Sequence, residues 1–312
     1  MGLMNEIRRP TPEELAGCLT QPSQVVQTAA GPLEYAERGQ GPALLAVHGA
    51  PGGYDEGLGL GEFFRVNGFK IIAPSRPGYL GTPLATGRTP EEQADALAAL
   101  LDSLKVEKIP VIAASAGGPS TYLLAARHPD RVSCLLEIGS VCRKFVHDPT
   151  PLEKKLFLSQ AGHWLLGFFL DHFPGPTVKY LLKAESTLDR RAIAAMAKEI
   201  RQDPSKLAFL KFLMATIGTR LPERQDGLQN DVAQIAAITQ LDLASISCPT
   251  LIMHGSADLR VSPSHGEYAK ASIAGAELYW IKGGAHTGFW LAGEAYTAQD
   301  YALSWLREKS RV

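Results

Sequence analysis

Apolar residues fall along this chain in two patterns. Short, nearly unbroken runs occupy Ala43–Val47, Phe69–Ala73, Ile109–Ala114, Val132–Ile138, Pro249–His254 and Glu277–Ile281. Runs of this length, without polar alternation, suit strands covered on both faces, as in a parallel sheet. Between them apolar residues recur at helical spacing. Ala94, Leu97, Ala98 and Leu101 follow Thr89-Pro90-Glu91-Glu92, which supplies a cap, a first-turn proline and an acidic first turn. Pro119–Arg127 predicts another helix. Strands alternating with helices predict an α/β fold with a mostly parallel central sheet and helices on both faces. Val25–Thr28 and Leu33–Glu37, divided by Gly31-Pro32, predict a β-hairpin, and residues 1–24 read as an extension with a short helix over Thr11–Leu19.

The alternation stops between 143 and 241. Helical patterns at Leu152–Leu170, Thr177–Lys183, Arg190–Ile200 and Lys206–Ile217 are joined by no run that reads as a buried strand. The segment is expected to be a helical cap, or lid, inserted between core segments 25–142 and 242–312. Such an insertion covers the carboxyl edge of the sheet, where ligands bind in open α/β folds. Leu156–Phe173 is strongly apolar but is interrupted by Gln160, His163 and Asp171, and is short for a membrane span. It reads as a lid helix whose Trp164, Leu165, Leu166, Phe168 and Phe169 line an apolar pocket. The same residues could instead form the cap's own core, or attach the cap to a lipid surface.

Candidate chemistry centres on the end of the run Ile109–Ala114. It stops at Ser115 and passes directly into a helical pattern, the strand, sharp turn and helix of a nucleophile elbow. Side chains two before and two after the serine must be small, and here they are Ala113 and Gly117. A serine hydroxyl needs a base, and the base an orienting carboxylate. In this topology both lie downstream, the acid first, each in a loop after a strand. Asp258 follows the run Pro249–His254, and His286 follows Glu277–Ile281. Glu137, a charge inside an apolar strand, is the competing acid; with Asp258 in that role it is expected to be a pocket residue or a partnered structural carboxylate.

These motifs resemble the α/β-hydrolase superfamily, in its serine branch with a helical cap. The resemblance covers about Val25 to Arg311 and implies that Ser115 is the nucleophile, His286 the base and then acid, and Asp258 the orienting carboxylate. It also implies an oxyanion hole from the N–H groups of Ala50 and Ala116, each such donor contributing about 3–4 kcal/mol. In the loop His48-Gly49-Ala50-Pro51-Gly52-Gly53, His48 and Gly49 are expected to brace the turn. That loop is similar to the one in proline iminopeptidases, which also need cap carboxylates; Glu153, Glu185 and Asp189 are available. Carbon–carbon hydrolases of ring-cleavage products share the residue order and would want basic groups near the serine, such as Arg76 or Arg143, though both read as solvated. The broadest expectation is a carboxylesterase acting on small to medium apolar esters. A serine nucleophile argues against the dehalogenase and epoxide hydrolase branches, and a complete set of three residues argues against a non-enzymatic binding protein.

Composition narrows the partners. Lys+Arg 31 against Asp+Glu 32 suggests no nucleic-acid partner. Four scattered cysteines without paired spacing predict neither a disulfide framework nor a metal site, and no cofactor is expected. No apolar signal segment is visible near the start, so a cytoplasmic protein without stable membrane insertion is expected, with a homo-oligomer left open.

Overall fold

The computed structural model describes residues 6–146, 155–156 and 159–310. Its eight-stranded sheet contains β1 (Gln24–Thr28), β2 (Gly31–Arg38), β3 (Ala43–Val47), β4 (Lys70–Pro74), β5 (Ile109–Ala114), β6 (Val132–Ile138), β7 (Thr250–Gly255) and β8 (Glu277–Ile281). Their spatial order is β1-β2-β4-β3-β5-β6-β7-β8. The first two strands form the expected antiparallel hairpin, and β2 also runs antiparallel to β4. All remaining pairs are parallel. The architecture is the α/β one expected from the sequence.

Alternate residues of each central strand feed two cores. Leu44 and Ala46 of β3, with Ile112 and Ala114 of β5, face one core, whereas Leu45, Val47, Val111 and Ala113 face the other. The first is covered by α1 (Pro12–Thr20), α2 (Tyr54–Val66) and α12 (Ala295–Lys309). The second lies under α3 (Pro90–Ser103), α4 (Gly118–Arg127) and α10 (Ser264–Ser272). Burial on both faces is why these strands lack a polar period. The sequence signals for helix starts are realised as hydrogen bonds. Thr89 and Glu92 form a reciprocal capping box, as do Thr11 and Glu14 at α1. Leu15 and Cys18 bury α1 in the first core.

Between β6 and β7 lie α5 (Gln160–His172), α6 (Pro174–Glu185), α7 (Arg190–Gln202), α8 (Pro204–Gly218) and α9 (Gln225–Ala237). The expected helix Leu152–Leu170 lies partly outside the described residues; Lys155 and Leu156 are helical, and α5 starts at Gln160, capped by the Ser159 hydroxyl. The last of the five, α9, has no counterpart among the expected helices. It begins after the left-handed Arg220 and a single tight turn at Leu221–Arg224, so no side-chain cap announces it. A short helix α11 (Gly288–Leu291) follows the loop after β8.

Candidate active site

The sheet's parallel strands all deliver their loops to one edge, and the candidate residues collect there. Ser115 sits directly after β5 with φ of 55°. This left-handed conformation is strained for a residue with a side chain, and a sharp strand-to-helix turn enforces it. Crowding explains the small neighbours. A β-carbon on Gly117 would come within 2.7 Å of the His48 carbonyl oxygen, and one on Gly49 within 3.1 Å of the Ser115 β-carbon.

His286, in the loop after β8, brings Nε2 to 3.0 Å from Ser115 Oγ. Its Nδ1 lies 2.9 Å from Asp258 Oδ2. The other Asp258 oxygen accepts the backbone N–H groups of Arg260 (2.8 Å) and Val261 (2.9 Å). Burial alone would raise the Asp258 pKa. The charge on His286, hydrogen bonds from His254 and His286 and the Val261 N–H outweigh it, holding the carboxyl well below its usual range. For His286, burial works downward, but Asp258 overcomes it and the pKa ends above its usual value. Chemically, a neutral His286 in this arrangement can accept the Ser115 proton while Asp258 fixes the ring's tautomer.

Glu137 does not join this group. It is fully buried and accepts the Thr121 hydroxyl at 2.6 Å, on the α4 side of the sheet. Burial outweighs bonds from Ser140 and Thr121 and pushes its pKa up to about 8. It is absent from the cavity wall among the described residues. Of the readings open for Glu137, this geometry matches a partnered structural carboxylate and not a pocket residue or alternative acid: alternation along β6 turns it away from His286.

The loop after β3 is braced at nearly every polar atom. Gly49 N–H donates to Glu56 Oε1 at 3.1 Å, and its carbonyl accepts Arg76 Nη2 at 2.7 Å and lies 2.7 Å from His48 Nδ1. The Arg76 N–H donates to His48 Nε2 at 2.9 Å, and Arg76 Nε to the His48 carbonyl at 3.1 Å. Burial, then the Arg76 charge, keeps the His48 pKa well below its usual value, so the ring is neutral while it bonds within the loop. Arg76 is 1% exposed, contrary to the expectation of a solvated side chain. Asp231 on α9 clamps it through two bonds of 2.9 and 2.6 Å, and the Tyr79 hydroxyl donates to the same carboxylate at 2.6 Å. Arg143 points elsewhere, donating to the Ser264 hydroxyl at 2.6 Å.

A cavity of about 550 Å³ opens beside Ser115, Ala50, Ala116 and His286. Its wall is largely apolar, including Leu60, Ile138, Leu181, Phe209, Met214 and Trp290. Besides Ser115 and His286, its polar members are Glu56, Glu185, Asp231, His163, Arg260 and Thr287. Burial raises the Glu56 pKa to about 7, above the opposing bond from Gly49. Glu185 also rises through burial and accepts the Thr287 hydroxyl at 2.9 Å. Of the cap carboxylates named from sequence, Glu185 alone is at the cavity. Asp189 instead caps α7 through the Ala192 N–H, and Glu153 lies outside the described residues.

The apolar stretch of α5 is also corrected. Trp164, Leu165, Phe168 and Phe169 are exposed, Leu166 is buried, and none of the five lines the cavity; only His163 of α5 reaches it. Sequence reasoning missed Glu56 and Asp231. Glu56 carried a usable signal, as an acid in the first turn of the helix after the Gly-rich loop; Asp231 carried none, because its partner lies 155 residues away.

Comparisons with known proteins agree with this architecture. A solved alpha/beta hydrolase fold protein from Nakamurella multipartita is 38% identical, with TM-score 0.87, covering 92% of this chain and 99% of that one. An uncharacterized hydrolase, YcgS of Bacillus subtilis (strain 168), is 32% identical over 285 residues, 88% of this chain and 95% of its own length. A pimeloyl-[acyl-carrier protein] methyl ester esterase of Neisseria meningitidis is 27% identical over 242 residues, 77% of this chain and 70% of its own. The family model of the alpha/beta hydrolase fold matches residues 42–292, and the chain belongs to that family of hydrolases.

Proposed function

We propose that the protein is a serine hydrolase that cleaves carboxylic esters of small to medium apolar compounds through an acyl-enzyme on Ser115. The observation that carries this reading is the linked set Ser115 Oγ, His286 and Asp258, at 3.0 and 2.9 Å, opening on a largely apolar cavity. Ser115 Oγ attacks the ester carbonyl carbon as His286 Nε2 takes its proton. The oxyanion accepts hydrogen bonds from the Ala50 and Ala116 N–H groups, held by the braced loop and the strained turn. His286 then returns the proton to the departing alkoxide, and a water activated by the same nitrogen releases the acid. The helices between β6 and β7 act as a cap that shapes the acyl or alcohol site.

The placement of the basic groups supports an ester over a ring-cleavage dienone, since Arg76 is consumed by the loop and Asp231, and Arg143 by Ser264. Similarity to the methyl ester esterase supports the same choice. Hydrolysis of a p-nitrophenyl ester series, acetate to decanoate, tests the reading. The wild type is expected to turn over these esters, with a chain-length optimum set by the cavity, and Ser115→Ala to lose at least about 10⁴-fold in kcat. Undiminished hydrolysis by Ser115→Ala would remove the serine from the mechanism.

A further inference from the structure

The outer face of α5 is unlike the rest of the surface. Trp164 is 70% exposed, Phe168 41%, Phe169 40% and Phe173, at the helix end, 55%. Their spacing of four and five residues places them on one face, and the rings touch one another. Trp164 stacks on Phe168 at 5.9 Å between centroids, Phe168 meets Phe169 at 5.9 Å, and Phe169 meets Phe173 at 6.0 Å. The opposite face buries His163, Leu166 and Leu170, so the helix is already anchored without them. Exposing contiguous aromatic surface is unfavourable unless something covers it.

Charge identifies what covers it. Residues 155–220 hold ten Lys and Arg against five Asp and Glu, although the whole chain is nearly balanced at 31 against 32. Of those ten cations, all but Lys206 are exposed. Two border the patch: Lys211 pairs with Asp171 at 2.6 Å, and the Arg201 guanidinium lies where a β-carbon on Gly175 would meet it at 2.5 Å, two residues past Phe173. Aromatic rings beside exposed cations fit an anionic lipid–water interface, where the rings enter the headgroup region and the cations meet phosphates. A second copy of the chain fits less well, since it would bring two basic segments together. No helix among the described residues is long and apolar enough to cross a membrane, so the contact is a surface one.

We propose that the outer face of α5, with Trp164, Phe168, Phe169 and Phe173, docks the protein on anionic phospholipid surfaces. This docking stands apart from the chemistry at Ser115, but it places the apolar cavity, which α5 reaches through His163, beside a source of apolar substrate.

Flotation with vesicles of phosphatidylcholine alone, and of phosphatidylcholine mixed with phosphatidylglycerol, tests it at low and high salt. The wild type is expected to float with the anionic vesicles, less so at high salt. Replacing Trp164, Phe168 and Phe169 together by Gln is expected to weaken that binding about tenfold, and Trp164→Gln alone about threefold. Neither variant should alter turnover of a soluble ester, which also reports that it is folded. Failure of the wild type to float, equal binding to uncharged vesicles, or undiminished binding by both variants would overturn the proposal. So would light scattering that finds a dimer which the variants dissolve, since the patch would then be an interface between copies.

Discussion

Two buried carboxylates, one in a strand and one in the loop after its neighbour, are pushed in opposite directions by their surroundings. Asp258, in the loop after β7, receives two backbone N–H groups and a histidine, and is held ionised. Glu137, near the end of β6, receives the Thr121 hydroxyl on Oε1, leaves Oε2 without a partner among the described residues, and is pushed towards the neutral form. Burial is nearly complete at both, so burial does not distinguish them. The number and charge of the donors does. A loop at the end of a strand turns its N–H groups towards a side chain, whereas the N–H groups of a central strand are spent in the ladder.

The largest test of that contrast is catalytic. Asp258→Asn is expected to lower kcat by about 10⁴-fold, through loss of the correct His286 tautomer. Glu137→Gln is expected to leave ester turnover within about threefold of wild type. The reverse result, measured with one p-nitrophenyl ester, would exchange their roles.

Stability against pH sharpens the same comparison. The folded-state pKa of Glu137 lies near 8, above its ordinary 4.5, so the group costs nothing below about pH 4.5. Stability then falls as the pH rises towards 8, because only the unfolded chain ionises freely. The whole effect is on the order of 5 kcal/mol. Urea denaturation at pH 5 and pH 9 should therefore show Glu137→Gln gaining on the wild type at the higher pH. A difference that does not change with pH would mean Glu137 is charged in the fold.

A third carboxylate, Asp231, resembles Asp258 in being paired, but its partner is the buried guanidinium of Arg76. Asp231→Asn leaves that cation uncompensated and is expected to destabilise the protein by about 3 kcal/mol. It should also slow acyl transfer, because Arg76 grips the His48 and Gly49 carbonyls. Pairing Arg76→Met with Asp231→Leu is expected to recover stability without recovering kcat, as read from denaturation and ester turnover together. Recovery of both would reduce the pair to a structural contact.

The central strands were legible because double burial leaves an unbroken apolar run, and β3, β5, β6 and β8 match their expected limits. Ser115, Asp258 and His286 were legible because each follows a strand at an abrupt change of pattern. What failed was direction. An apolar helix such as α5 shows its faces only when its neighbours are known, and its aromatic residues turned outward instead of into the cavity. Arg76 was misjudged for a related reason. A lone arginine in a loop reads as solvated until a carboxylate from α9, far along the chain, is placed against it.

Covalent labelling tests the central claim most directly. A fluorophosphonate forms a stable phosphonyl ester only with a serine activated as a nucleophile, and peptide mass spectrometry locates the adduct. The account predicts one adduct, on Ser115, formed far more slowly in His286→Ala and in Asp258→Asn but at nearly the wild-type rate in Glu137→Gln. An adduct on another residue, or labelling of Ser115 that ignores the loss of His286, would contradict it.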